Sequence, residues 1–291
     1  MNNTDVDFNL KRDFSDVINV TFSFIKQEFK TLISTVALYT IIPLLGSAVL
    51  SVFYTKDTWT AYFQGIFTNA PVVETPNFTV LILMIVINFI STLMIMGLTY
   101  EYINLYNTRG KGNFTRADVA NAFVKDFLKI LGYNIIVFIV VTLASLLIIP
   151  GIYLAVPLTF ITIVLIVENR GFSGSWRRCF EIIKNNWWLT LALIIVTYII
   201  IYMLGMVFNL PLGIYSGIKG FTAATGGNFE MDYVVLTLFT ILSTVGSSLL
   251  MVLFYTMLAA QYYSLNSDKT KASSILDRIN EIEDRPVEDS F

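Results

Sequence analysis

Residues 129–168 read KILGYNIIVFIVVTLASLLIIPGIYLAVPLTFITIVLIVE, and this stretch decides the fold. It holds 38 consecutive uncharged residues between its terminal lysine and glutamate. A membrane-spanning helix needs about 20 apolar residues, so the stretch is too long for one span and long enough for two. Because the Pro150-Gly151 pair is a turn signal, we expect a tight hairpin of two spanning helices, residues 130–149 and 152–167.

Four further uncharged runs have 25, 26, 34 and 35 residues, and each can supply one span. The sequence therefore predicts an all-α integral membrane protein with six spans. The predicted spans are residues 31–54, 78–100, 130–149, 152–167, 187–210 and 234–262. Pro157 is expected to kink the fourth span, and Pro211 is expected to end the fifth.

The composition is typical of a membrane protein and excludes several kinds of catalytic and metal-binding site. Hydrophobic residues make up 55% of the chain and charged residues 14%, whereas soluble proteins have about 25% charged residues. The absence of histidine excludes histidine metal sites and Ser-His triads, and the single cysteine, Cys179, excludes intrachain disulfides. We therefore expect no enzymatic activity, no cofactor, no metal site and no nucleic-acid partner.

The basic residues predict the orientation. When the segments between the spans are assigned alternately to the two sides, 17 lysines and arginines fall on one side and 2 on the other. Basic segments stay in the cytoplasm, so we expect both termini to be cytoplasmic and the third-to-fourth turn to lie outside. We expect no cleavable signal peptide, because no short apolar core precedes a small-residue cleavage site.

Three domains follow from this pattern: a polar N-terminal segment at 1–13, the membrane domain at 14–267 and an acidic tail at 268–291. The tail has apolar residues on one helical face and is expected to form an amphipathic helix. It either docks beneath the basic cytoplasmic segments or binds a protein partner. The lipid bilayer is the other expected partner.

An internal repeat precedes the spans. The segment FSDVINVTFSFIKQEFK at 14–30 resembles FSGSWRRCFEIIKNNWW at 172–188, and a looser third copy starts near Val119. Their apolar residues recur with helical spacing, as expected of amphipathic helices lying in the membrane interface. The aligned apolar positions are Ile18, Phe22, Ile25 and Phe29, then Trp176, Phe180, Ile183 and Trp187, and in the third copy Val119, Phe123, Phe127 and Ile130. We expect three units, each an interfacial helix followed by a helical hairpin.

The candidate site is a polar cluster at the cytoplasmic ends of the spans. Glu101 and Glu168 close the second and fourth spans, Gln261 occupies the position in the sixth that matches Glu101, and Arg177 and Arg178 lie close by in sequence. The cluster either binds a ligand or holds the three units together through ion pairs, and the second interpretation is favoured. Ordinary solvated charges are the third alternative.

Polar residues inside the spans, such as Asn88 and Asn134, either pack helices together or line a pore, and packing is favoured. No Asp, Glu, Lys or Arg falls inside a predicted span, which argues against a proton-coupled pump. A non-enzymatic scaffold or accessory protein in envelope or lipid homeostasis is the favoured function. The alternative is a transporter or channel for a lipid or a small neutral solute.

The chain also resembles a known family. The motifs are PGIYL at 150–154, VE at 167–168, GFS at 171–173, WRR at 176–178, KNNWW at 184–188, QYYSL at 261–265 and DRI at 277–279. They resemble the membrane domain that precedes some glycerophosphoryl diester phosphodiesterases, and stand-alone six-span relatives in Bacteroidota. The resemblance covers most of the chain and is specific over 150–188 and 259–283. It implies the six-span fold and a bacterial inner-membrane location, but no phosphodiesterase activity, because that domain is missing.

Overall fold

The computed structural model describes residues 5–68, 77–225 and 232–283, which form eight helices and no strand. The helices are α1 Phe14–Thr68, α2 Phe78–Arg109, α3 Arg116–Ser145, α4 Ile149–Leu158, α5 Ile161–Glu168, α6 Phe172–Ile183, α7 Trp187–Ala224 and α8 Tyr233–Glu283. Six stretches are long and apolar enough to cross a membrane, with α4 and α5 together making the fourth. The predicted all-α membrane fold is confirmed.

The predicted hairpin lies between α3 and α4. Its turn comprises residues 146–148, and Pro150 follows in the first turn of α4, where a missing N–H group disrupts no helical hydrogen bond. Gly151 packs against the preceding helix so closely that an added Cβ would lie 2.6 Å from Ser145 Cα. The kink expected at Pro157 appears as the break between α4 and α5, one residue after this proline.

Two of the three expected interfacial helices are not separate elements. The segment at 14–30 is the first part of α1, and the segment around Val119 is the first part of α3. The chain has no proline between Phe14 and Ile42 that could end α1, and Gly132 alone does not interrupt α3. The third segment is a separate helix, α6, because a turn over residues 184–186 divides it from α7.

Two predicted helix ends were also wrong. Pro211 does not end the fifth span, since α7 runs through it to Ala224. A proline is tolerated in a membrane helix where neighbouring groups satisfy the freed backbone carbonyl. The tail is not a separate helix either, because α8 continues from the sixth span to Glu283. The side chains that would dock the tail lie outside the described residues.

The N-terminal segment, expected to be only polar, inserts into the helix bundle. Phe8 is fully buried, and its ring centroid lies 4.9 Å from that of Phe24 in α1, 6.3 Å from Tyr106 in α2 and 5.8 Å from Tyr263 in α8. The backbone N–H of Arg12 donates to Ser264 Oγ at 2.8 Å. The segment therefore joins three helices at one end of the molecule.

We call this end the basic end: it holds the start of α1, the α2–α3 loop and α6. The buried core concentrates here. Every buried residue of α2 lies between Ser91 and Tyr106, and most of them lie in its second half. The opposite halves of α2 and α7 present large exposed apolar side chains, such as Ile82 and Phe221, as expected of surfaces that contact lipid chains.

Candidate functional site

Glu168, the last residue of α5, forms the centre of a network that joins three helices. Its Oε2 forms an ion pair with Arg170, whose Nε lies 2.6 Å away, and its Oε1 accepts from Arg178 Nε at 2.8 Å. The Tyr262 hydroxyl of α8 donates to the same Oε1 at 3.0 Å. Arg178 also donates from Nη2 to Asn266 Oδ1 at 2.6 Å. These bonds fix α5, α6 and α8 to one another, and we call them the Glu168 centre.

A second carboxylate has a similar role in the other half of the molecule. Glu28 of α1 is 5% exposed and accepts from the Tyr102 hydroxyl at 2.7 Å. Lys111, in the α2–α3 loop, places its Nζ 3.0 Å from Glu28 Oε1. A buried carboxylate needs such partners because desolvation of the charge is costly. This group, the Glu28 centre, was missed by the sequence analysis.

The two centres share a chemical pattern. Tyr102 and Tyr262 occupy matching places in the segments EYINL at 101–105 and QYYSL at 261–265. Each tyrosine donates its hydroxyl to a glutamate, and each glutamate also pairs with a cation from a further segment. The matching tyrosines were the available sequence signal, since a buried tyrosine hydroxyl usually finds an acceptor.

The five residues predicted to form one cluster are divided by the structure. Glu168 and Arg178 lie together as described, whereas Arg177 pairs with Glu181 on the outer face of α6 at 2.7 Å. Gln261 Nε2 donates to Thr190 Oγ1 at 3.2 Å and so joins α8 to α7.

Glu101 is separate from both centres. It is 3% exposed, is hydrogen-bonded by Asn104, and has Lys125 and Asp126 of α3 as its neighbouring charges. An acid this deeply buried, with no cation in hydrogen-bond contact among the described side chains, is held by packing rather than by an ion pair.

Burial also controls the chemistry of the only cysteine. Cys179, on the inner face of α6, is fully buried, and burial together with the nearby Glu168 raises the pKa of its thiol to about 12. Burial likewise lowers the pKa of the Arg12 guanidinium from its ordinary value, against the opposing effect of Asp7.

In the described part of the chain no group of His, Cys, Asp and Glu side chains could hold a metal ion.

The polar residues within the spans mostly join helices. Asn88 Oδ1 accepts from Ser47 Oγ at 3.0 Å, and Asn134 Nδ2 donates to Thr162 Oγ1 at 2.9 Å. Asn134 also borders a cavity of about 380 Å³ among α2, α3, α4 and α8, whose other lining is mainly apolar. We call this the inner cavity.

No family model, no curated protein and no solved structure matches the chain. The resemblance to the phosphodiesterase membrane domain stays a prediction.

Proposed function

We propose that the chain is a non-enzymatic scaffold or accessory protein of the bacterial inner membrane, with both termini in the cytoplasm and a role in envelope or lipid homeostasis. The observation that carries the proposal is that two buried carboxylates bind side chains from other segments. Glu28 and Glu168 each bind a tyrosine and a cation from other segments. Groups engaged in this way stiffen one end of the molecule, as a platform for a partner requires.

The three-unit repeat is part of this proposal, and burial supports it. Val17 and Thr21 of α1 are buried, and so are Ser175 and Cys179 of α6, which follow them by 158 residues. Equivalent positions of the repeat therefore face the protein interior in both copies. Repeated units that carry similar amphipathic segments on one side give the protein an extended basic surface for binding.

The outer face of α6 is the surface where we expect a protein partner. The Arg177 side chain is 84% exposed and carries charge away from the bundle. Chemical crosslinking in native membranes followed by affinity purification tests the proposal. We expect a stoichiometric partner that is lost in Arg177→Glu. The control is Lys219→Glu, which reverses a charge in α7 between Pro211 and the end of that helix, and we expect it to keep the partner. Purification of the wild-type chain alone after crosslinking would contradict the proposal.

The non-enzymatic part has its own test. Among the described residues, Glu101 is a buried acid without an ion pair, so it is the residue most suited to acid–base chemistry. We expect Glu101→Gln to leave the phenotype of a complemented deletion strain unchanged at equal protein abundance. Loss of function at normal abundance would instead favour an enzyme.

The inner cavity favours a second candidate function, the transport of a lipid or a small neutral solute. Its volume of about 380 Å³ lies within the range of ligand sites, and its lining is mainly apolar with a few polar groups. Flux or lipid-scrambling assays in liposomes test this candidate. We expect Thr142→Trp, which fills the cavity, to abolish any measured flux, and Thr108→Trp, at the end of α2, to leave it intact.

A further inference from the structure

A second cavity, of about 530 Å³, lies between the start of α4 and the junction of α6 with α7. We call it the boundary cavity. Ile149, Ile152 and Leu191 form its apolar part, while Lys184 and Asn185 border it from the α6–α7 turn. No contact of the candidate site described above lies in it, so its lining calls for a separate explanation.

The position of the boundary cavity follows from three side-chain contacts to α8. Glu168, before α6, binds Tyr262; Arg178, within α6, binds Asn266; and Thr190, after α6, binds Gln261. These α8 residues fall within 261–266, a rise of about 7.5 Å along a helix. The helix α6 therefore crosses α8 at the basic end, where water meets the membrane.

The indole of Trp187 brings α4 to the same place. Its Nε1 donates to the Tyr153 carbonyl at 3.3 Å, and the two rings stack with centroids 5.9 Å apart. The boundary cavity lies beside this pair. Tryptophan and tyrosine rings prefer the zone between headgroups and acyl chains, so this cavity is at lipid headgroup depth.

The lining of the boundary cavity combines one charge with exposed apolar surface. Lys184 forms no ion pair with the described side chains. Ile149 and Trp188 are 79% and 77% exposed, which suits contact with lipid rather than with water. A ligand that matches both parts must carry an anionic group attached to a long apolar group.

We propose that the boundary cavity binds one anionic phospholipid from the leaflet on the basic side. The Lys184 ammonium and the Asn185 amide bind the phosphate, and the acyl chains lie against Ile149, Ile152 and Leu191. The site depends on neither proposed function, since a scaffold and a transporter could both hold such a lipid. It adds a lipid specificity that neither function requires.

Tryptophan fluorescence tests the site, because two of the four tryptophans, Trp187 and Trp188, line it. The double variant Trp59→Phe/Trp176→Phe leaves these two as the only emitters. The protein is reconstituted in phosphatidylcholine vesicles with brominated phosphatidylglycerol or, in parallel, brominated phosphatidylcholine. We expect the anionic lipid to reach half-maximal quenching at about fivefold lower mole fraction, the factor for one lysine near an anionic headgroup.

The control variants identify the residue responsible. Lys184→Gln should bring the two quenching curves together, whereas Lys129→Gln, another exposed lysine at the basic end, should keep them apart. Equal quenching by both lipids in the parent protein, or a preference that survives Lys184→Gln, would overturn the proposal. If the double tryptophan variant does not fold, native mass spectrometry of the wild type and Lys184→Gln gives the same comparison through retained phosphatidylglycerol.

Discussion

At the scale of single residues, Glu168 is the side chain whose loss has the clearest consequence. In Glu168→Gln the two arginines keep their charge but lose the opposite charge, and Arg178 is only 15% exposed. Removal of one partner from a buried ion pair costs about 3 kcal/mol. We expect a loss of this order in the free energy of unfolding, measured by denaturant titration in detergent micelles.

The matched control is Arg177→Gln on the outer face of α6. Glu181 pairs with Arg177, whose side chain is mostly exposed, and such surface pairs contribute about 0.5 kcal/mol. Equal losses in the two variants would show that the Glu168 centre does not brace the helices.

Cys179 gives a second test at this scale, through pH. Thiolates rather than thiols react with maleimides, and a free cysteine has a pKa of about 8.5. Since burial raises the pKa of Cys179 to about 12, the thiol stays protonated from neutral pH to about pH 9. We expect no labelling of the folded protein at either pH and complete labelling after denaturation in SDS. Rapid labelling of the native protein would contradict the buried position.

Sequence reasoning found one glutamate centre and missed the other for a physical reason. Glu168 and Arg178 are ten residues apart across a short loop, so their proximity follows from local geometry. Glu28 lies within α1 between Lys26 and Lys30, a pattern typical of a solvated helix face. Its partner Tyr102 is 74 residues away, and only the packing of α1 against α2 brings them together.

At the scale of elements, the uncharged runs predicted the six stretches that are long and apolar enough to cross a membrane, but not where helices merge. An amphipathic segment and the span after it share the same 3.6-residue period, so only a helix breaker can separate them. A turn separates α6 from α7, whereas no turn separates the first part of α1 or α3 from the spanning part of the same helix. The predicted units therefore differ from the structure mainly at their junctions.

The depth of the α3–α4 hairpin is a prediction at the same scale. Ser145, at the end of α3, lines the inner cavity with residues 254–258 of α8. Residue 254 lies 21 residues after Tyr233, about 30 Å from the far end of α8. The turn itself is apolar, and Leu147 is 71% exposed. The charge pattern places this turn outside the membrane, but its contacts with α8 lead us to expect it within the bilayer.

Cysteine accessibility measures this depth. In a Cys179→Ala background, Leu147→Cys should resist a membrane-impermeant maleimide both in intact cells and after permeabilisation. Ser173→Cys, on α6, should react only after permeabilisation, and Thr222→Cys, near the end of α7, should react in intact cells. Reaction of Leu147→Cys in intact cells would place the turn at the outer surface.

At the scale of the whole molecule, the interactions are distributed unevenly between the two ends. The basic end holds both glutamate centres and the inserted N-terminal segment, while the opposite halves of α2 and α7 expose apolar side chains. The composition predicted a membrane protein but could not predict this asymmetry. It depends on contacts between residues far apart in the sequence, such as the bond between Arg12 and Ser264.

The N-terminal segment tests whether this end is held together as one unit. Phe8 fills a pocket formed by rings of α1, α2 and α8, so Phe8→Ala leaves a cavity shared by three helices. Loss of a buried phenylalanine costs about 3–5 kcal/mol. We expect a loss of this size in denaturant titrations, and faster proteolysis of the segment itself. Leu10→Ala, at a half-exposed position two residues later, should change stability by less than about 0.5 kcal/mol. If both variants unfold like the wild type, the segment is an addition to the bundle and not part of its core.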